Sequence, residues 1–169
     1  MALSRRGRKW GGLLAAFGIG AASMHYAPKA YRRATAESFP SSERNNESIR
    51  RSVDKIRKAL REIIVKVTDL RDKLYQDLKE ARKLIRQSDL EDYQKALKAA
   101  LKNKAGKAKK ELKANVAELQ EAEDEINDLK ENAGAAEGDV SPLRPEVAAA
   151  EDVVTQVADL IKEAEEETK

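Results

Sequence analysis

The chain has 169 residues, of which 37% are charged and only 4% aromatic, and it contains no cysteine. This composition argues against a broad globular core with a ligand pocket and favours long helices that bury a narrow apolar seam; the missing cysteines exclude disulfides and thiolate metal sites. The net charge of +3 hides an asymmetry, because residues 1–51 carry a net +7, residues 52–113 a net +9 and residues 114–169 a net −13.

The first predicted element is the uncharged run at residues 10–27. As a helix it would be about 27 Å long, close to the apolar thickness of a bilayer. Basic residues lie outside both ends and an aromatic residue lies at each boundary, as in the interfacial belt of a transmembrane helix. We therefore predict a basic flank and single-pass membrane anchor over residues 1–33. Its membrane residues are Trp10, Gly12, Leu13, Leu14, Ala16, Phe17, Ile19, Gly20 and Tyr26.

Gly12, Ala16 and Gly20 recur at every fourth position, so a second helix could approach this face closely. Three other interpretations of the run stay open. Ala21 and Ser23 offer the small residues of a signal-peptidase site, which would make the run a cleaved secretory signal. The absence of acids before Glu37 also fits a mitochondrial presequence, and the run could be a soluble helix.

The stretch GGLLAAFGIGAASMHYAPKAYRR resembles the start of YtxH-like proteins, which are small membrane-anchored bacterial proteins. Gly12, Gly18, Gly20 and the Ala27-Pro28-Lys29 junction match that family's arrangement, whereas Ala30-Tyr31 replace its usual Ser-Gly. The resemblance covers about thirty residues. It implies a single-pass protein of the bacterial envelope, with no catalytic residues to carry over; a mitochondrial membrane is the alternative location.

Residues 34–48 are small and polar, and we predict a flexible linker there. From Ile49 onward, apolar residues recur at alternating steps of four and three, which is the period of a coiled-coil seam. We predict a first long helix over residues 47–87, with these seam residues: Ile49, Val53, Ile56, Leu60, Ile63, Val67, Leu70 and Leu74. Asp77 interrupts the seam, which then shifts to Leu78, Ala81 and either Leu84 or Ile85.

Ser88-Asp89-Leu90-Glu91 fits a capping box, yet no Gly or Pro enforces a break, so a tight hairpin and a continuous helix both stay open. We predict the second helix over residues 89–131. Its seam residues are Leu112, Asn115, Leu119, Ala122, Ile126, Leu129 and Ala133. Asn115 either fixes the register as a buried polar residue, or is solvated while Val116 packs in its place.

Eight lysines form a basic patch before this seam: Lys95, Lys98, Lys102, Lys104, Lys107, Lys109, Lys110 and Lys113. We predict a solvated or acid-paired helix face, in which the acidic C-terminal part folds back on the basic helices. An anionic lipid surface is the alternative partner. Nucleic acid is disfavoured, because no aromatic residue and no recognition motif accompanies the lysines.

Residues 132–145 contain two Gly and two Pro and predict a loop, followed by an acidic helix over residues 146–169. The apolar residues of that helix are Val147, Ala150, Val154, Val157, Ile161 and Ala164. The predicted fold class is all-α: a transmembrane helix, a long coiled-coil region over residues 49–131 and a short third helix. The coiled coil is either an antiparallel hairpin or an oligomer, because heptads do not say whose helix fills a seam.

No pattern typical of a catalytic, cofactor or metal site occurs. His25 is the only histidine and lies in the predicted anchor. No histidine is therefore available to activate Ser41, Ser42 or Ser52 as a nucleophile. We therefore predict a non-enzyme: a membrane-anchored coiled-coil scaffold, tether or structural subunit that binds a protein partner or a second copy. Two alternatives stay open, a signal-cleaved soluble binding module and a basic helical protein that binds anionic lipid or nucleic acid through residues 95–113.

Overall fold

The computed structural model describes residues 42–169. Over these residues the chain forms four α-helices and one 3-10 turn: α1, Ser42–Gln87; α2, Glu91–Glu131; α3, Glu137–Val140; the 3-10 turn, Ser141–Leu143; and α4, Arg144–Glu167. The three long helices α1, α2 and α4 each contact the other two. The described part of the chain is therefore an all-α three-helix bundle. The predicted transmembrane helix lies outside the described residues.

Contacts between side chains give the directions of the helices. Among the hydrogen-bonded pairs that join α1 to α4, three have partners 85 positions apart: Arg61 with Glu146, Arg71 with Gln156, and Arg82 with Glu167. A constant offset means that α1 and α4 run parallel. Between α1 and α2 the numbers change in opposite directions, from Lys66 with Glu118 to Asp77 with Lys104, so these helices are antiparallel. The two long helices thus form a hairpin within one chain, and α4 lies along it.

The core follows the apolar period of α1. All eight seam residues from Ile49 to Leu74 are buried, with at most 7% of any of them exposed. Beyond Asp77 the core continues through Leu78 and Ala81, as the shifted seam predicts. The six apolar positions predicted for α4 are also buried. Each large apolar side chain buried in this way contributes about 1.5–3 kcal/mol to folding.

The core of α2 begins earlier than its sequence pattern indicates. Leu101, Ala105 and Ala108 are buried inside the lysine-rich stretch, ahead of the predicted start at Leu112. Leu101 and Ala105 form one cluster with Leu78 and Ala81 of α1 and Ala164 of α4. Towards the other end the seam is looser, since Ile126, Leu129 and Ala133 are only half-buried.

Helix α1 begins at Ser42, so residues 42–48 are helical and not the flexible linker that the sequence predicts. Two contacts account for the difference. The Asn45 side-chain amide donates to the Ala133 carbonyl at 3.3 Å, just past the far end of α2, and Ile49 is buried one turn further along. The first turns of α1 are therefore held by the loop that follows α2.

The hairpin turn comprises residues 88–90, which eliminates the continuous helix, but the predicted capping box is wrong. Helix α2 starts at Glu91 with no side-chain cap, and the Ser88 hydroxyl accepts from the Leu90 amide at 3.2 Å. The Gln94 side chain instead donates to the carbonyls of Ile85, at 3.2 Å, and Ser88, at 2.6 Å. It thereby satisfies carbonyls that the end of α1 leaves without partners, which explains how α1 can stop without Gly or Pro.

Only residues 132–136 of the predicted loop at 132–145 lack helical structure. Gly134 takes a left-handed conformation with φ of 70°, which ends α2. Val140 and Leu143 are buried and hold the following segment against the bundle. The prolines do not prevent helix here, because Pro145 lies in the first turn of α4, where proline needs no amide partner.

Gly106 lies in the middle of α2, and an added Cβ would meet nothing within 4 Å. Gly106→Ala should therefore stabilise the bundle by about 0.5–1 kcal/mol, since glycine costs backbone entropy inside a helix. We expect the melting temperature measured by circular dichroism to rise by a few degrees. The reverse change at an exposed alanine of the same helix, Ala99→Gly, should lower it by a similar amount. A lower melting temperature for Gly106→Ala would contradict the open position of this residue.

Candidate functional site

The predicted functional residues fall into an anchor, a seam and a basic patch. The anchor residues from Trp10 to Tyr26 lie outside the described residues. Among the helices that are described, none is long and apolar enough to cross a bilayer. The seam residues of α1 and those of α2 from Leu112 to Ala122 lie in the bundle interior, so the surfaces that remain for partners are mainly the outer faces of the helices.

The acidic α4 is held on the basic α1 by ion pairs, as the charge asymmetry of the chain predicts. Near the start of α4, the Glu146 carboxylate lies 3.1 Å from the Arg61 guanidinium and 3.9 Å from that of Arg57. The Glu146 side chain is only 19% exposed, so this pairing offsets its partial desolvation. Exposed arginines make each pair worth little alone, but together the pairs select one register for α4.

Arg82 performs the same role at the other end of α4. Its guanidinium donates to Glu167 at 2.8 Å and to Glu163 at 3.2 Å. Partial burial lowers the pKa of Arg82, but the hydrogen bonds and charges of Glu167 and Glu163 outweigh that effect and raise this pKa above its usual value. The two hydrogen bonds of Arg82 fix the last turn of α4 on α1.

Some lysines of the basic patch belong to the bundle's own ion pairs. Lys104 lies 2.6 Å from Asp77 of α1, and Lys109 lies 3.2 Å from Glu165 of α4. Lys95 is 3.8 Å from Glu91 of its own helix. These pairs tie α2 to both neighbouring helices and agree with the prediction of an acid-paired face for part of the patch.

The other lysines of the patch make no ion pair with any carboxylate in the described part of the chain. They are Lys98, Lys102, Lys107, Lys110 and Lys113; Lys98 is half-buried and the others are exposed. Residues 93–110 contain seven lysines and no acid, over about 27 Å of helix. We call Lys98, Lys102, Lys110 and Lys113 the basic face of α2, since regular helix geometry places them within an arc of about 120°.

Asn115 is buried, with 8% of its surface exposed, and Val116 is buried beside it. The alternative of a solvated Asn115 is therefore wrong. Its side-chain amide donates to the Glu111 carbonyl at 2.8 Å, within its own helix. This bond satisfies the buried amide locally, as buried polar groups require.

Exposed apolar side chains lie near the hairpin turn, and the heptad pattern does not predict them. Leu84, Leu90 and Tyr93 are 38%, 72% and 47% exposed. Helix α4 ends at Glu167, opposite Arg82, so the last turn of α1 extends beyond it. The sequence signal for this region is the interrupted seam after Asp77, where Leu84 and Ile85 compete; Ile85 is the more buried of the two.

A surface groove of about 410 Å³ lies between α1 and α4, with Tyr75 and Leu160 in its lining. Its cation is already engaged, since the Arg71 guanidinium donates to Asp72 and to Gln156, at 2.9 Å each. Residues 42–169 contain no histidine or cysteine. The described side chains include no group of three metal-ligating residues. The lining of the groove thus combines charged side chains, such as Asp159 and Glu163, with the apolar surface of Tyr75 and Leu160.

Comparison of the chain with protein-family profiles, with curated proteins and with solved structures finds no match. The resemblance to YtxH-like proteins stays an expectation, because it rests on residues outside the described part. The features that the structure brings together are an internally filled seam, a cross-paired α1–α4 interface and one acid-free basic face.

Proposed function

We propose that this protein is a non-catalytic, membrane-anchored scaffold or tether, in which a single transmembrane helix carries a helical rod. The observation that carries the proposal is the uncharged run at residues 10–27, bounded by aromatic and basic residues, ahead of a long bundle. With 46 residues, α1 measures about 69 Å, a suitable length for holding a partner away from an anchoring point.

Burial of the seam within one chain supports a rod-like bundle that binds partners through the outer faces of its helices. The seam residues of α1 are buried by α2 and α4 of the same chain, so a second chain is not needed to cover them. Ion pairs along α1 and α4 hold the third helix in one register. Such a body suits a structural subunit better than an oligomerising coiled coil, in which the seam itself would join the chains.

The test is alkaline carbonate extraction of the full-length protein with a C-terminal tag, together with its intact mass. We expect the full mass in the membrane pellet. The double variant Leu14→Arg with Phe17→Arg should move the protein to the supernatant, because each arginine costs about 2.5–3.5 kcal/mol at the centre of a membrane helix. The matched control is Val65→Arg with Leu90→Arg, which adds the same charge at exposed apolar positions of the bundle and should leave the protein in the pellet.

A soluble protein that starts near Met24 would overturn the proposal and favour the signal-cleaved binding module. The small residues Ala21 and Ser23 make that the specific alternative to test. A full-length protein in the supernatant would remove both functions.

A further inference from the structure

We infer that the basic face of α2 is a docking surface for anionic lipid headgroups. Through this face the bundle binds the surface of a membrane. The inference rests on the proposed function in one respect: an anchor in the same chain would raise the local concentration of lipid at α2, so that individually weak charge contacts suffice. The contacts themselves are argued from the bundle.

The charge of this face is not neutralised by the bundle. Three acids at the end of α4 are already engaged, Glu163 and Glu167 with Arg82 and Glu165 with Lys109. No acid of α2 itself lies between Asp92 and Glu111. In α1, by contrast, successive acids from Glu43 to Glu80 are never more than eight positions apart. Exposed lysines near an anionic lipid surface each contribute about a fivefold gain in binding.

The shape of the face also fits a flat, charged surface. Apart from lysines, the exposed residues between Lys98 and Lys113 on the same side of the helix are the small Ala99 and Gly106. Because no bulky side chain stands between the lysines, headgroups can approach the helix along its length.

The residue types favour lipid over nucleic acid. Helix α2 contains no arginine, and Tyr93 is its only aromatic residue, so no side chain among the lysines can stack on a base. Nucleic-acid surfaces use arginine forks and aromatic stacking in addition to charge. Lysine provides a point charge without directional demands, which is sufficient for a fluid layer of phosphate and carboxylate groups.

The experiment uses the absence of cysteine from the chain. Gly106→Cys introduces one labelling site within the basic face, at a position with space for it. A fluorophore at this site reports contact when a quencher is carried on lipid headgroups. We expect quenching with full-length protein in vesicles of phosphatidylcholine mixed with phosphatidylserine, loss of quenching in high salt, and none in phosphatidylcholine alone. Val65→Cys, on an exposed position of α1, is the reference site and should stay unquenched.

The triple variant Lys102→Gln, Lys110→Gln and Lys113→Gln removes the charge at little cost in helix propensity. We expect the ratio of protein whose basic face contacts lipid to protein whose basic face is free to fall on the order of 100-fold. The control is Lys58→Gln, Lys73→Gln and Lys79→Gln, which changes the net charge equally at exposed lysines of α1 and should retain the quenching. Equal loss in both triples, absence of quenching with phosphatidylserine, or quenching that persists in high salt would overturn the inference.

A competitor separates the remaining partner class. If duplex DNA or RNA displaces the label from phosphatidylserine vesicles at a phosphate concentration below that of the lipid, the face is a nucleic-acid surface and the lipid assignment is wrong. Carbonate extraction of the same vesicles tests the anchor separately, because it strips proteins held by charge alone. Carbonate-resistant protein without quenching overturns this inference only, whereas carbonate-soluble protein that still shows quenching overturns the proposed function only.

Discussion

Val154→Asp should abolish the native bundle at room temperature. Val154 is completely buried in α4, so a carboxylate added at this position would be withdrawn from water into the apolar core. An unpaired buried charge costs several kcal/mol, which is comparable to the whole stability of a domain, about 5–15 kcal/mol. The measurement is urea unfolding of the detergent-solubilised full-length chain, followed by circular dichroism.

The matched control is Thr155→Asp, which adds the same side chain one position further along. Thr155 is exposed, and its hydroxyl bonds only to the Glu151 carbonyl of its own helix, at 2.9 Å. The new carboxylate has Glu151 and Asp159 one turn away, so we expect a loss of a few tenths of a kcal/mol. A Val154→Asp protein with the control's unfolding midpoint would show that α4 is not part of the core.

This pair of variants also tests how α4 contributes to the rod. Ion pairs alone hold α4 weakly, because exposed pairs contribute only about 0–1 kcal/mol each. The stability of the third helix must then come mainly from its buried apolar face. A Val154→Asp protein should therefore expose the seam of α1 and self-associate. We expect it to elute earlier than the unchanged protein in size-exclusion chromatography.

Leu60→Ala should destabilise the bundle by about 2–5 kcal/mol, the second-largest effect among these predictions. Leu60 is fully buried in the seam of α1, and its truncation leaves a cavity that the three packed helices can only partly close. Leu60 also precedes Arg61, which pairs with Glu146, so a shift of this turn would loosen α4. The measurement is the change in the free energy of unfolding at an unchanged dependence on urea.

Leu84→Ala is the control for this variant, because it makes the same truncation on the same helix. Leu84 lies 38% exposed at the hairpin turn, beyond the end of α4. We expect a loss below about 1 kcal/mol, since more than a third of this side chain stays in water and its truncation leaves no closed cavity. Equal losses for the two leucines would mean that the hairpin end is covered in the folded protein and that the bundle extends further than α4.

The sequence by itself determined the features that depend on local helix geometry. A seam at alternating steps of four and three puts Ile49, Leu60 and Leu74 on one stripe of any helix, and burial of that stripe follows wherever a partner comes from. The same holds for Val147 and Ile161 in α4. The acid-free lysine row of the candidate lipid surface is equally a property of the sequence, because side chains along a helix share a face by their spacing alone.

The tertiary structure decided which lysines remain free. Lys104 and Lys109 differ from Lys102 and Lys110 only in which carboxylates of α1 and α4 come within reach, and no spacing along α2 indicates those distances. It also decided that Ala105 is core, since alanine is compatible with both burial and exposure, and only the approach of Leu78 and Ala164 settles the matter.

The ends of the helices and the turns between them also depend on tertiary contacts. Residues 42–48 read as linker, yet Asn45 reaches Ala133 and the segment is helical. Gln94 closes the end of α1 in place of the capping box expected at Ser88. Heptads predict that a seam is buried, because apolar surface must leave water, but they do not name the helix that covers it. The constant offset of 85 residues between α1 and α4 arises from long-range charge pairing and packing, which no local pattern contains.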